Sequence, residues 1–268
     1  MMRLSDDLGR VHSFPAPARR IISLSPAIAE NLFAIGAGSR VVGVTSVDDY
    51  PAPVQKLPRI GDFGAPLYER IRALRPDLAV VEIAKIDRAT IENAEKRMQV
   101  PIFVQMSRRY DDVPRHLTQL GEITGTGKTA QAAGAKMRQT ATQVNRQVQG
   151  KPKTTVFIEV SSSPLYAVGP GSFLDDLIRL SGGINVVEGD NPFPQFSRER
   201  LLTANPAHYV IAVGGDMKSS PKPTLPAPLD RIQAAKTGNI HRIPADHLFR
   251  PTPRLARGLV ELARALHG

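Results

Sequence analysis

The chain has 268 residues, enough for one large domain or two lobes of ordinary size, and its 41% apolar content can build a proper core. It has no cysteine, which excludes disulfides, thiolate metal sites and cysteine catalysis, and no apolar run of about 18 residues of the kind that crosses a bilayer. The formal charge is +10, but Lys and Arg are spread along the whole chain without a basic run or an aromatic-rich stacking segment, the pattern of a solvated surface rather than a nucleic-acid groove.

Met1 to Phe14 is polar, with Asp6, Asp7 and Arg10, and lacks the apolar core of a signal peptide. Two readings follow: a cytosolic protein, or a chain numbered from a trimmed mature form. Leu8 to Phe14 can form a short β element with Gly9 at a turn. Arg20 to Leu24 is an apolar run fit for a buried strand. Ser25 is a good N-cap and Pro26 a good first helical residue. Ile28, Leu32 and Ile35 continue at helical spacing until Gly36 and Gly38. Val41 to Val44 is the next strand, and Asp48 to Pro51 ends it in a loop. Strand, helix and strand with short connections is the grammar of a parallel sheet.

Pro51 to Pro66 is rich in proline and glycine and reads as a loop. The spacing then predicts a helix at Leu67 to Leu74, a strand at Leu78 to Val81, a helix at Ile86 to Met98, a strand at Ile102 to Val104 and a helix at Val113 to Ile123. Lys128 to Gln149 reads as one long helix. Ala130, Ala133, Met137, Ala141, Val144 and Val148 recur at steps of three and four, and Gly150 and Pro152 stop it. Beyond it come a strand at Thr155 to Val160, a helix at Phe173 to Ser181, a strand at Asn185 to Val187, a helix at Arg198 to Ala204 and a strand at Tyr209 to Val213. Met217 to Pro228 reads as a surface loop, Leu229 to Ala234 as a short helix and Ile240 to Ile243 as the last strand. Pro253 to Leu266 closes the chain as a helix.

Two segments match across the long helix: ERIRALRPDLAVV from Glu69 and ERLLTANPAHYVI from Glu199. In each, Glu-Arg opens a helix, a proline stands seven positions after the Glu, and a buried strand follows. Phe63 and Phe193 each lie six residues before the Glu. This coincidence points to a duplicated lobe, a ligand cleft walled by Phe63 and Phe193, and one exposed carboxylate per lobe. The expected fold class is α/β: two Rossmann-like lobes joined by one long backbone helix. The lobes are placed at 1–124 and 151–268, with the connecting helix at 125–150.

Several motifs carry less. GEITGTGKT resembles a phosphate-binding loop, but a P-loop needs glycine where Glu122 stands, and the stretch follows a helix rather than a strand. The six histidines show no paired spacing with carboxylates, so no metal site is expected. His247, beside Asp246, reads as a loop residue. Ser161, Ser162 and Ser163 lack a nucleophile elbow, and no catalytic residue is assigned.

The segments RIISLSPAIAENLFAIGAG, VVGVTSVDDYP, LYERIRALRPDLAVV, NPFPQFSRERLL and FRPTPRLARGL, in this order and spacing, resemble the helical-backbone periplasmic binding proteins of ABC importers. Those proteins carry cobalamin, ferric siderophores or haem, and the resemblance is nearest to the cobalamin branch. It implies that Glu69 and Glu199 dock onto arginines of a membrane permease. It places Tyr50, Phe63, Glu82, Phe193, Asp246 and Arg250 at ligand-facing positions, with Tyr166 and Phe173 nearby. The implied protein is a monomeric, non-enzymatic binding protein of the periplasm or cell surface. Its ligand, cobalamin or an iron chelate, is cargo rather than a cofactor, and nucleic acid is not a partner.

The chain departs from that branch at Phe63, Glu82 and Phe193, where tryptophan is common; it has no Trp at all. Phe keeps an apolar wall. Glu82 brings a carboxylate that would want a cation or a donor such as Arg250, which leaves a ferric siderophore, haem or another corrinoid as alternatives to cobalamin. A sensor of the same fold, or a cytosolic enzyme acting on an anionic substrate, are the further alternatives.

Overall fold

The computed structural model describes residues 1–214 and 223–268. The first part of the expected loop at Met217 to Pro228 lies outside the described residues. The chain divides into two compact units. One comprises Met1–Ser107 with Asp111–Lys136; the other comprises Arg108–Tyr110 with Met137–Gly268. The helix Gly127–Val148 contributes to both. Its expected apolar face is the buried one, with Ala130, Met137 and Val144 almost fully covered.

The first unit is built on a parallel sheet of four strands, in the spatial order Val41–Gly43, Ile21–Ser23, Leu78–Glu82, Ile102–Gln105. Its strands are apolar on both faces because helices cover both sides of such a sheet. Ile21, Ile22, Ala79, Val80, Ile102 and Phe103 are all fully buried. Each fully buried Ile or Val side chain contributes about 1.5–3 kcal/mol. The local signals act as expected at the first helix, Pro26–Ala34, where Pro26 stands at its start. Ser25 takes the N-cap position with extended backbone, but its side chain makes no cap hydrogen bond. The N-terminal β element is a hairpin, Met2–Ser5 against Val11–Phe14, turning through Gly9 at φ +72°. Helices Asp112–Thr124 and Gly127–Val148 are joined by a tight turn in which Gly125 has φ +69°. Gly121 lets them approach, since a Cβ there would overlap that of Ala130.

The second unit repeats this order. Gly183–Asn185, Thr154–Ser162, His208–Val213 and Ile240–Pro244 run parallel, side by side. In both units the second parallel strand in sequence lies outside the first, and the third and fourth follow on the other side. Leu165–Ala167 folds back antiparallel on the end of Thr154–Ser162. Phe157, Phe196 and Tyr209 pack together in the core as tilted rings, with Phe157 5.4 Å from Phe196 and 5.1 Å from Tyr209 between ring centroids.

Three expectations shift. The strand expected at Asn185 to Val187 is Gly183–Asn185, because the Asn185 amide is recruited to Val168 O (3.0 Å) and Asp175 Oδ1 (2.8 Å) and its Oδ1 accepts from Val187 N, which turns the chain. The helix expected at Leu229 to Ala234 breaks at Ile232, which is extended, into a 3-10 turn Leu229–Arg231 and a short helix Gln233–Lys236. The stretch Pro51 to Pro66 is not all loop. It holds a 3-10 turn, Ala52–Lys56, and a small hairpin, Gly61–Asp62 with Ala65–Pro66.

Candidate ligand site

In each sheet the strand order reverses between the first and third strands, so the connections leaving those two strands diverge. Open parallel sheets take ligands in the crevice this leaves outside the strand carboxyl ends. In the first unit that point is marked by Ser25, just past the first strand, and Glu82, the last residue of the third. The Glu82 N–H donates to Ser25 Oγ at 3.0 Å.

Glu82 belongs to a buried polar chain. Its Oε1 accepts from Ser107 N at 2.9 Å, and Oε2 lies 3.6 Å from His116 Nδ1. His116 Nδ1 is also 3.2 Å from Ser107 Oγ, and its Nε2 is 2.7 Å from Asp7 Oδ2. Arg115 bonds Asp7 Oδ1 at 2.7 Å and Asp112 Oδ1 at 3.1 Å. Burial pushes Glu82 up to about 8, the Ser107 amide and hydroxyl pull the other way, and Asp7 and Asp112 add to the rise. Burial also acts on Asp7, but hydrogen bonds from His116, Arg115 and the Met106 amide outweigh it and hold that carboxyl far below the usual range. The donor expected for Glu82 was Arg250. Within its own unit Ser107 and His116 face it, because strand Ile102–Gln105 ends beside it; Arg250 Nε sits 3.2 Å from Asp246 Oδ1 in the other unit.

Tyr50 stands on the loop that leaves strand Val41–Gly43 and is 46% exposed. That loop is pinned. Asp48 Oδ2 accepts from Thr45 N at 2.9 Å and from the Thr45 hydroxyl, and Arg59 Nη1 donates to Thr45 O and Asp48 O at 3.0 and 2.8 Å. Phe63 caps the small hairpin and is half-buried against the core of its unit.

In the second unit, residues 191–196 are laid along the Leu165–Ala167 edge. Ala167 N donates to Pro194 O at 3.0 Å, Gly169 N to Pro192 O at 2.9 Å and Phe196 N to Leu165 O at 2.9 Å. This brings half-buried Tyr166 and Phe193 onto one edge, with Tyr166 bridged to Gln195. Gly169 is required there, since a Cβ would run into Asn191 O. Phe173 is different. It opens helix Phe173–Leu180 behind the Ser172 cap and is only 8% exposed, so it belongs to the interior. Asp246 lies in the short helix Ala245–Leu248 that follows the last strand. Its two oxygens take Arg250 Nε and, at 3.3 Å, Arg254 Nη1. His247 turns to Glu261, at 3.0 Å.

Glu69 and Glu199 occupy equivalent places in the two units. Each lies in the first turn of the helix before the third strand, Tyr68–Ala73 and Arg198–Ala204. Both are exposed, the Glu69 side chain at 96%. Glu199 is held below the ordinary carboxylate range by its own backbone N–H and the Ser197 hydroxyl. Each helix is followed by a left-handed residue just before the repeat's proline: Arg75 at φ 45° and Asn205 at φ 43°.

Ser25, Ser107, His116, Asp7 and Arg254 were not singled out as site residues from sequence. Ser25 was legible as a cap. Asp7 and His116 are 109 residues apart and share no spacing signal. Among the described residues no group of three or more His, Cys, Asp or Glu is placed to hold a metal ion, and no helix is long and apolar enough to cross a membrane.

Two parallel sheets of one strand order, one in each unit, make a duplicated α/β fold. A family model described as periplasmic binding protein matches residues 21–247, and the chain belongs to that family. It is 27% identical over 243 residues to the vitamin B12-binding protein of Vibrio vulnificus, covering 89% of this chain and 86% of that one. It is also 27% identical over 259 residues to the uncharacterized ABC transporter substrate-binding lipoprotein YvrC of Bacillus subtilis, covering 93% and 80%. The crystal structure of the periplasmic vitamin B12-binding protein BtuF of Vibrio cholerae superposes with a TM-score of 0.80 at 25% identity, over 94% of this chain and 98% of that one.

Proposed function

We propose that this protein captures cobalamin or a related corrinoid outside the cytoplasmic membrane and delivers it to an ABC permease, as a monomer and without chemical turnover. The observation that carries the delivery role is the repetition. Two units of one strand order each present an exposed glutamate in the same helical turn, Glu69 and Glu199. Two carboxylates on rigid elements contribute little affinity singly, but they set orientation and association rate against a basic partner surface. The ligand class is supported by the likeness to vitamin B12-binding proteins along nearly the whole chain.

The ligand is engaged by Tyr50, Phe63 and Glu82 of the first unit and by Tyr166, Phe193, Asp246 and Arg250 of the second. Phe173 is left to the core by its burial. The ligand is cargo, and no resident cofactor is invoked. A second reading, a ferric siderophore or haem, is favoured by Glu82, which puts a carboxyl group where the corrinoid branch commonly has tryptophan. Titration of the purified protein with cyanocobalamin, haem and a ferric siderophore, followed by calorimetry and visible absorbance, tests both. Saturable one-to-one binding of cyanocobalamin is expected; binding of only an iron ligand establishes the second reading, and binding of none overturns both.

A further inference from the structure

The buried polar chain of the first unit ties together three elements distant in sequence and ends at Glu82, where the sheet order reverses. Among the described residues, the charged and titratable groups recorded around Glu82 include Asp7 from the hairpin turn and Asp112, Arg115 and His116 from helix Asp112–Thr124. Ser25 and Ser107 supply the neutral contacts.

The two oxygens of Glu82 are not equivalent. Oε1 is used by the Ser107 amide, and the Ser107 hydroxyl also bears on this carboxyl. Oε2 is 3.6 Å from His116 Nδ1, beyond hydrogen-bond reach. The His116 ring is engaged at Nε2 by Asp7, and Arg115 bridges Asp7 and Asp112 rather than Glu82. The Glu82 side chain is 8% exposed. An ionised carboxylate there would sit in a dry site beside two others. The neutral acid fits: it accepts at Oε1 and keeps a hydroxyl to give at Oε2.

Building on the reading above, we infer that Glu82 serves the ligand site as a neutral carboxylic acid, donating its Oε2 proton to an acceptor oxygen of the ligand such as an amide carbonyl, a carboxylate or a hydroxamate. The sign of the pH dependence follows. A ligand that covers Glu82 removes the remaining water and favours the acid further. Above the point near 8 where the free protein loses this proton, binding must take a proton up, so affinity falls with rising pH. A cationic ligand group would favour the carboxylate and give the opposite slope.

The test is calorimetric titration of the full chain with cyanocobalamin, and in parallel with haem and a ferric hydroxamate, from about pH 6 to about pH 10. For whichever probe binds, affinity is expected to fall by up to about tenfold per pH unit above about 8. Glu82→Gln keeps a donor but cannot ionise, and should remove that slope. Glu82→Leu removes both, and should lower affinity about 3- to 10-fold at neutral pH, the worth of one hydrogen bond. A separate readout needs no ligand: the Glu82 carboxyl carbon, assigned in the NMR spectrum by its loss in Glu82→Gln, should titrate near pH 8. Binding without a pH slope, binding that tightens as pH rises, or a carboxyl titrating in the ordinary range overturns the inference and leaves the transport reading intact. Binding of none of the probes at any pH overturns the transport reading, and this inference with it.

Discussion

The amide of Glu82 donates to the side chain of Ser25 across 3.0 Å, joining the end of the third strand to the exit of the first. Ser25 therefore holds the N-cap position of its helix while its hydroxyl serves the neighbouring strand. Ser25→Ala should cost about 1 kcal/mol, through an amide left without its partner rather than through a lost cap. Urea denaturation measures the cost, and amide exchange at Glu82 should speed up. Exchange that stays as slow as in the wild type would show that the bond is not formed.

Asp7 and Glu82 sit in one polar chain but push stability in opposite directions with pH. Asp7 is depressed in the fold, so its contribution is present above its unfolded value and is lost as pH falls below it. Glu82 is raised to about 8 from 4.5, so its contribution is full below 4.5 and is lost as pH rises through about 8. Denaturation midpoints followed from acid to alkaline pH should show the alkaline loss vanish in Glu82→Gln and the acid loss shrink in Asp7→Asn. An alkaline loss that persists in Glu82→Gln would assign it to another group.

A second acid-sensitive point lies at the amino-terminal end of the sheet in the second unit. His208 Nδ1 is 3.0 Å from His241 Nε2, and the rings stack at 5.3 Å. Burial, then the nearness of His241 and His267, pushes His208 down to about 4. Its contribution is present above 6.5 and is lost as pH falls through about 4. Thermal unfolding scans across that window should show a stability loss in the wild type that is smaller in His208→Leu. Equal losses in the two proteins would remove His208 as the source.

Arg75 carries a left-handed backbone, at φ 45°, in the place where the second unit has Asn205. Left-handed geometry costs an ordinary side chain about 1–2 kcal/mol, and Asn or Gly much less. Arg75→Asn should therefore stabilise the protein by about 1 kcal/mol, and Asn205→Ala should destabilise it by a similar amount. Chemical denaturation decides, and a loss of stability in Arg75→Asn would contradict the strain argument.

The paired glutamates give the functional prediction. Glu69→Ala with Glu199→Ala should abolish ligand-dependent transport in cells or vesicles that hold the cognate permease. Calorimetric affinity for the ligand should stay at the wild-type value, because both side chains stand on exposed helix turns. Undiminished transport would sink the docking role.

Much of this was legible from local rules. Apolar runs such as Leu78–Val81 read as buried strands and proved to be so, and Ser25-Pro26 marked a helix start within one residue. The repeat around Glu69 and Glu199 pointed to a duplicated lobe, and the strand order is repeated in the two units. What escaped was set by partners far off in sequence. The strand at Gly183–Asn185 ends early because Asn185 is drawn to Val168 and Asp175. Leu165–Ala167 is a short segment whose strand character comes from the chain folding back at Ser163-Pro164. The partners of Glu82 depended on Asp7 meeting His116, a pairing that no periodicity encodes.

The helix Gly127–Val148 serves both units, and the second unit also takes in Arg108–Tyr110 from the earlier half of the chain. There Tyr110 N–H donates to Asp176 Oδ2 at 2.9 Å and its hydroxyl to Met137 O at 3.0 Å. A gene cut at the turn after the helix would therefore not yield two autonomous halves. The upstream fragment would carry away part of its neighbour's core, and the downstream fragment would need it back. Expressed separately, the two pieces would behave as a complementation pair, each poorly folded alone and restored by mixing, which makes that turn a natural place to split the protein into a reporter of its own assembly.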